Sequence, residues 1–197
     1  MKSVLISIRP QWCEQIASGK KTIEVRKTRP KLETPFKCYI YETQGRYEDM
    51  RNCKTFKFWD IRQKVIGEFV CDHMYEINYR CGDTGDWWHE TKYEDCDERQ
   101  MCLSWKEVDF YLMKSNGYGW HISDLKIYDD PKELFGFFRY CTVKDDCHKC
   151  THWDNSYDNT YYEPIDQPFE GCKTSERKHF LRPPQSWCYV EEEQSCL

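Results

Sequence analysis

Apolar and polar positions alternate along the chain in a way that lays out its opening elements. Val4 to Ile8 is a short run of β-branched character, which predicts a strand, and Pro10 sits where the first turn of a helix tolerates a residue without an N–H. In "PQWCEQIAS", Trp12, Cys13, Ile16 and Ala17 fall on one helical face, and Gly19 follows as a C′ residue that ends the helix. "TIEVR" then alternates strictly, with Ile23 and Val25 on one side and Thr22, Glu24 and Arg26 on the other. The opening therefore reads as strand, short helix, glycine turn and a strand whose non-core face is wholly polar.

Further on, "FKCYIYET" and "KVIGEFVCD" predict two more strands, separated by a polar, irregular stretch over 44–63. Residues 73–103 show no clean period and read as a long insertion. Ser104 followed by Glu107 forms a capping box for an amphipathic helix carrying Trp105, Val108, Tyr111 and Leu112 and ending near Asn116 and Gly117. "YGWHIS" and "LKIYD" predict two short strands around Asp124, and Pro131 opens a brief helical turn in "PKELFGFF". From 141 to 181 the chain is polar, aromatic and cysteine-bearing without apolar period, and "PPQSWCYVEE" restores a strand before an acidic tail. The expected organisation is a core over 1–140 with insertions at about 44–63 and 73–103, a cysteine-rich insertion over 141–181, and a closing strand and tail over 182–197. The expected class is α+β, a mostly β core with two or three helices and long loops.

At 197 residues the chain suits one domain with insertions and can bury a real core. With 16% aromatic residues, much of that core must be rings. The N-terminal apolar run is too short for a signal peptide and no segment approaches a membrane span, so a cytoplasmic location is the expectation. The formal net charge of −5 argues against indiscriminate binding to duplex phosphates. Its distribution is uneven: seven basic residues stand against Glu24 and Glu33 between Lys20 and Lys37, whereas seven acids stand against Lys92 alone between Asp83 and Glu98. One region attracts anions and another repels them.

"SGKKTIEVRKTRP" fits the G-x-K-x-x-E-x-R signature of ASCH domains, with Gly19, Lys21, Glu24 and Arg26 in its four positions. "ISIRPQWCEQI" resembles the helix before that signature, "KVIGEFVCD" the strand after it, and "GYGWHISDLKIYDDPKELFGF" the later strand pair, together covering most of residues 3–138 in order. "RPPQSWCYVEE" resembles the closing strand of bacterial and phage members. The resemblance implies a PUA-like fold, a small twisted β-barrel with flanking helices, and a cleft near the glycine turn that receives RNA, a nucleotide or a modified nucleobase. Some members are enzymes, one branch hydrolysing N4-acetylcytidine with a lysine, a threonine and a glutamate, another member being a ribonuclease. Lys21 takes the lysine position of the amidohydrolase branch, whereas Glu24 occupies that of its threonine.

Three constellations carry candidate chemistry. Thr22, Glu24 and Arg26 share a strand face beside Lys21, placing an acceptor between donors that can take phosphate oxygens; the bland alternative is a solvated face with a surface ion pair. Trp120 and His121, with Tyr118, Trp187 and Tyr189, offer rings on which a base could stack, or rings that fill the core. Cys147 and Cys150 form a Cys-x-x-Cys knuckle which, with Cys141 and Cys172, could hold a structural zinc; the alternative is a loop with incidental thiols. The sequence reading thus expects RNA or a nucleotide-like ligand at Lys21, Thr22, Glu24, Arg26, Trp120 and His121. A rival is a hydrolase at the same cleft, with Lys21 as general base or as the charge that stabilises an anionic transition state. A third is a protein-interaction module with Asp83 to Glu98 as its contact surface.

Overall fold

The computed structural model describes residues 3–44, 63–139 and 183–192. Ten strands and three short helices follow one another as β1 (Ser3–Ile8), α1 (Pro10–Ala17), β2 (Ile23–Arg26), β3 (Phe36–Glu42), β4 (Lys64–Cys71), β5 (Met74–Cys81), β6 (Trp87–Glu90), α2 (Glu98–Met101), α3 (Trp105–Leu112), β7 (Gly117–His121), β8 (Ser123–Glu133), β9 (Phe137–Arg139) and β10 (Trp187–Glu192). A six-stranded sheet has the order β8-β4-β3-β1-β10-β9 and a four-stranded sheet the order β2-β7-β5-β6. The class is the expected α+β, with two curled, barrel-like sheets and few flanking helices.

The two sheets share a corner. β4 runs into β5 across Asp72 and His73, β7 runs into β8 across Ile122, and the pairs β4 with β8 and β5 with β7 are both antiparallel. A two-stranded antiparallel ribbon thus bends from one sheet into the other, as sheets do where strands pass around a barrel corner. The bend is pinned by His121 N–H donating to the His73 carbonyl at 3.0 Å and by the Ser123 hydroxyl donating to the Val70 carbonyl at 2.9 Å.

Three apolar layers result. Val4, Ile6 and Ile8 of β1 pack with Cys38 and Ile40 of β3, Ile16 of α1 and Trp120 of β7 between the sheets. On the outer side of the large sheet, Leu5 meets Tyr39, Tyr41, Leu134 and Phe137. On the outer side of the small sheet, Ile23 and Val25 meet Tyr75, Ile77, Met101, Val108 and Leu112, the last three from α2 and α3. β1 is therefore buried on both faces, which its near-continuous apolar run anticipates.

Several sequence expectations change. The range 73–103 is not an unstructured insertion: it supplies β5, β6 and α2, and β5 is an interior strand of the small sheet. β5 does alternate, with Tyr75 and Ile77 buried and Glu76 exposed, but the pattern fades after these few positions and the chain runs into a tight turn with Gly85 at φ 84°. The helical turn expected at Pro131 begins only at Leu134, because β8 continues through Pro131 to Glu133 along β4. Ala17, placed on the apolar face of α1, is exposed. Cys141, Cys147, Cys150 and Cys172, and the stretch 45–62, lie outside the described residues.

Candidate functional site

The signature begins where α1 ends. Gly19 adopts φ 73°, a left-handed conformation that glycine enters without steric cost, and Lys20 and Lys21 N–H groups both donate to the Gln15 carbonyl at 3.0 Å. This tight exit sends the chain across into β2, which pairs antiparallel with β7 in the register Ile23 with His121, Glu24 with Trp120, Val25 with Gly119 and Arg26 with Tyr118. Period-two alternation then puts Ile23 and Val25 against the helices and turns Glu24 and Arg26 into the layer between the sheets.

The polar face of β2 is consequently not solvated. Lys21, Glu24 and Arg26 are 2%, 6% and 8% exposed, because the large sheet and α1 cover what an isolated alternating strand would leave to water. They form a continuous ionic row: Lys21 Nζ lies 3.4 Å from Glu24 Oε2, and Arg26 Nη2 lies 3.1 Å from Glu24 Oε1. Each end of the row is anchored. Lys21 donates to the carbonyl of Met101 at the end of α2, where a helix leaves carbonyls without intrahelical donors, and Arg26 Nη2 donates to the Ser7 carbonyl of β1 at 2.6 Å. The Trp12 ring lies 5.1 Å from Lys21 Nζ, a cation–π contact.

This row is incompletely satisfied. Among the described residues, Arg26 Nε, Trp120 Nε1 and Thr22 Oγ1 are buried without a hydrogen-bond partner. Glu24 and Trp120 are direct cross-strand neighbours and Arg26 is two positions along, so two donors lie on the same face as the carboxylate. Cys13 of α1 borders the group: burial, then the Glu42 and Glu24 carboxylates, push its thiol well above the usual range, with Arg26 pulling the other way. Glu42, 1% exposed at the end of β3, thus belongs to the same neighbourhood. Trp12, Glu42 and the Ser7 and Met101 carbonyls were missed in the sequence; only Glu42, a charge closing the apolar run "CYIY", carried a local signal.

The two expected ring residues separate. Trp120 is fully enclosed, edge-on to Phe36 at 5.9 Å and tilted against Trp187 at 5.9 Å, so its ring faces belong to the core rather than to an open stacking platform, and its indole N–H is what it can offer. His121, the next residue in β7, faces the opposite side of the small sheet, where its Nδ1 donates to Asp72 Oδ1 at 2.6 Å and its ring lies 6.2 Å from Tyr75. It does not join Glu24 and Arg26. Glu68 of β4 points to the outer side of the large sheet and accepts from Tyr128 at 2.5 Å and Lys37 at 3.2 Å.

An open depression of about 450 Å³ lies on the outside of the glycine turn, lined by Lys20, Thr22, Asp95, Asp97, Arg99 and Gln100. No group of three or more histidine, cysteine or acidic side chains suited to a metal occurs among the described residues, and no helix among them is long and apolar enough to cross a membrane.

No known family profile and no curated protein sequence matches the chain. Among solved structures, the chain resembles the crystal structure of ASCH from Zymomonas mobilis at 20% identity and TM-score 0.46, over 67% of this chain and 73% of that one. Two mutant forms of that protein give the same identity and TM-score, over 68% and 67% of this chain and 77% and 74% of theirs.

Proposed function

We propose that this is an ASCH-type protein that binds RNA or a nucleotide-like ligand through the face formed by Glu24, Arg26 and Trp120. The supporting observation is the pair of unpartnered donors, Arg26 Nε and Trp120 Nε1, buried on the same face as the Glu24 carboxylate. A buried donor without a partner costs about 1–3 kcal/mol, and a ligand supplying an acceptor recovers it. A nucleobase or its ribose offers acceptors for the two N–H groups together with an amine or hydroxyl for the carboxylate, a donor and acceptor set that simple anions lack. The remaining contacts of the row, to Ser7 and Met101, hold it rigid before the ligand arrives, which lowers the ordering cost of binding. The signature residues that support the family reading are these same side chains.

Hydrolysis at this cleft is less well supported. Lys21, the candidate base, directs its ammonium to Met101 and Glu24 inside the fold, and the position of the amidohydrolase threonine holds Glu24, which is bonded to both cations. An acceptor engaged with two cations is poorly placed to act as a nucleophile.

Equilibrium titration with nucleoside monophosphates and short single-stranded RNA tests the proposal. Saturable binding that weakens about tenfold or more in Arg26→Lys, which keeps the charge but removes the Nε donor, supports it. Unchanged affinity in Arg26→Lys, or absence of binding to any nucleic acid, contradicts it; release of product on prolonged incubation would favour the hydrolase instead.

A further inference from the structure

Immediately beyond Arg26 the chain leaves the small sheet and lines a second, open groove of about 570 Å³, distinct from the buried row, with Lys27, Arg29, Lys31 and Leu32 on one side and Tyr118 of β7 on the other. Tyr118 is the cross-strand partner of Arg26, so the groove starts where the buried row ends. Lys27, Arg29 and Lys31 are exposed, and none of them forms an ion pair among the described residues. Among the described residues that line it, Glu33 is the only acid.

The groove is built rather than incidental. Its basic loop is fastened to β10 at two points: Trp187 Nε1 donates to Thr28 Oγ1 at 3.0 Å, and Lys31 N–H donates to the Tyr189 hydroxyl at 2.7 Å. Trp187 and Tyr189 in turn pack edge-to-face at 5.4 Å, and Trp187 leans on Trp120. The Arg29 guanidinium lies 5.8 Å from the centre of the Tyr118 ring, an arrangement that presents cation and π-face together. Held this way, the loop leaves Lys27, Arg29 and Lys31 exposed at little further ordering cost, with Lys27 Nζ 5.5 Å from the Tyr111 ring.

We infer that this groove is a phosphate-backbone track for single-stranded RNA, which makes the ligand an oligonucleotide whose one nucleotide enters the Glu24 face while its neighbours run along Lys27, Arg29 and Lys31. The inference rests on the binding function proposed above and specifies its substrate class. Cations with an aromatic face suit a flexible strand, since the phosphates meet the cations and an unstacked base meets the ring, whereas a duplex hides its bases. The overall net charge of −5 confines such attraction to this local basic stretch rather than the whole surface.

The experiment compares a nucleoside monophosphate with single-stranded RNA tetramers at several salt concentrations, using wild type and the variant Lys27→Gln, Arg29→Gln, Lys31→Gln. The tetramer is expected to bind about tenfold or more tightly than the monophosphate at low salt, with a log–log salt slope near −2 from three single-strand contacts, and both differences should vanish in the triple variant. Equal affinity for monophosphate and tetramer, or a length advantage that survives the triple substitution, would overturn the track while leaving nucleotide binding at Glu24 standing. Tetramer binding that depends on the three cations, with no monophosphate binding, supports the track and removes the Glu24 reading. Equally tight saturable binding of a polyglutamate peptide, or binding of nothing, overturns it. Circular dichroism melting of the triple variant, whose substituted side chains are exposed, separates these outcomes from unfolding.

Discussion

Glu24 holds two cations at 3.4 and 3.1 Å in a layer that otherwise contains Trp120, Ile16 and the aliphatic side chains of β1. Replacing it by glutamine keeps the shape but leaves Lys21 and Arg26, whose side chains are 1% and 10% exposed, without their counter-charge. Glu24→Gln is therefore expected to lower stability by about 3 kcal/mol, as measured by urea unfolding, since removal of one partner from a buried ion pair is far costlier than loss of a surface pair. A change below about 1 kcal/mol would mean the row is hydrated. Thiol reactivity checks the burial independently. Burial pushes Cys71 and Cys96 to about 12 and raises Cys13 and Cys38 well above the usual thiol range, so at pH 8 these four remain unreactive thiols in the native protein. Among the described cysteines, exposed Cys81 should be alkylated by iodoacetamide first, followed by half-buried Cys102 and Cys188, as read by peptide mass spectrometry.

At the scale of elements, β2 shows what the sequence pattern could and could not convey. Its alternation correctly separated Ile23 and Val25 from Glu24 and Arg26, but a polar strand face looks the same in sequence whether it meets water or a second sheet. The covering surface comes from β1 and α1, contacts that no local period encodes. Local signals were reliable where the physics is local. The Ser104 and Glu107 capping box forms as expected, with Glu107 N–H donating to Ser104 Oγ at 3.3 Å and Ser104 N–H to Glu107 Oε2 at 2.8 Å. Ser104→Ala should cost about 1 kcal/mol in thermal or urea unfolding. Gly119 tests the β2 packing more sharply, because an added Cβ would sit 2.9 Å from Ile23 Cγ2 and 3.3 Å from Tyr75 Cβ. Gly119→Ala is expected to destabilise by about 1–3 kcal/mol and to weaken ligand binding by displacing β2, both measurable on the same preparation.

At the scale of the molecule two sheets are joined through one bent antiparallel ribbon, and its carboxylates make that fold acid-sensitive. Burial works to raise Asp72 and Glu68, but the His121 ring offsets it at Asp72, and the Tyr128 hydroxyl and Lys37 ammonium offset it at Glu68, leaving both below the usual carboxylate range. The Ser104 backbone N–H and hydroxyl lower Glu107 in the same direction. Groups whose folded values are depressed contribute stability that is complete above their unfolded values, about pH 4, and is lost as pH falls through the folded ones. Unfolding free energy should therefore decline progressively below about pH 4, and Asp72→Asn should flatten part of that decline. The overall class and the signature residues were legible in the sequence because turns, caps and alternation are short-range. Strand alternation alone divides Trp120 from His121, but which of the two meets the layer between the sheets was not legible, since it depends on what each face of β7 packs against. The proposed binding face is tested most directly by following the side-chain N–H resonances of Arg26 Nε and Trp120 Nε1 by two-dimensional NMR during titration with a nucleoside monophosphate. Saturable shifts of both signals, larger than those of His121 and its surroundings, are predicted; two signals that stay fixed at millimolar ligand, or shifts confined to residues away from Glu24, would contradict it.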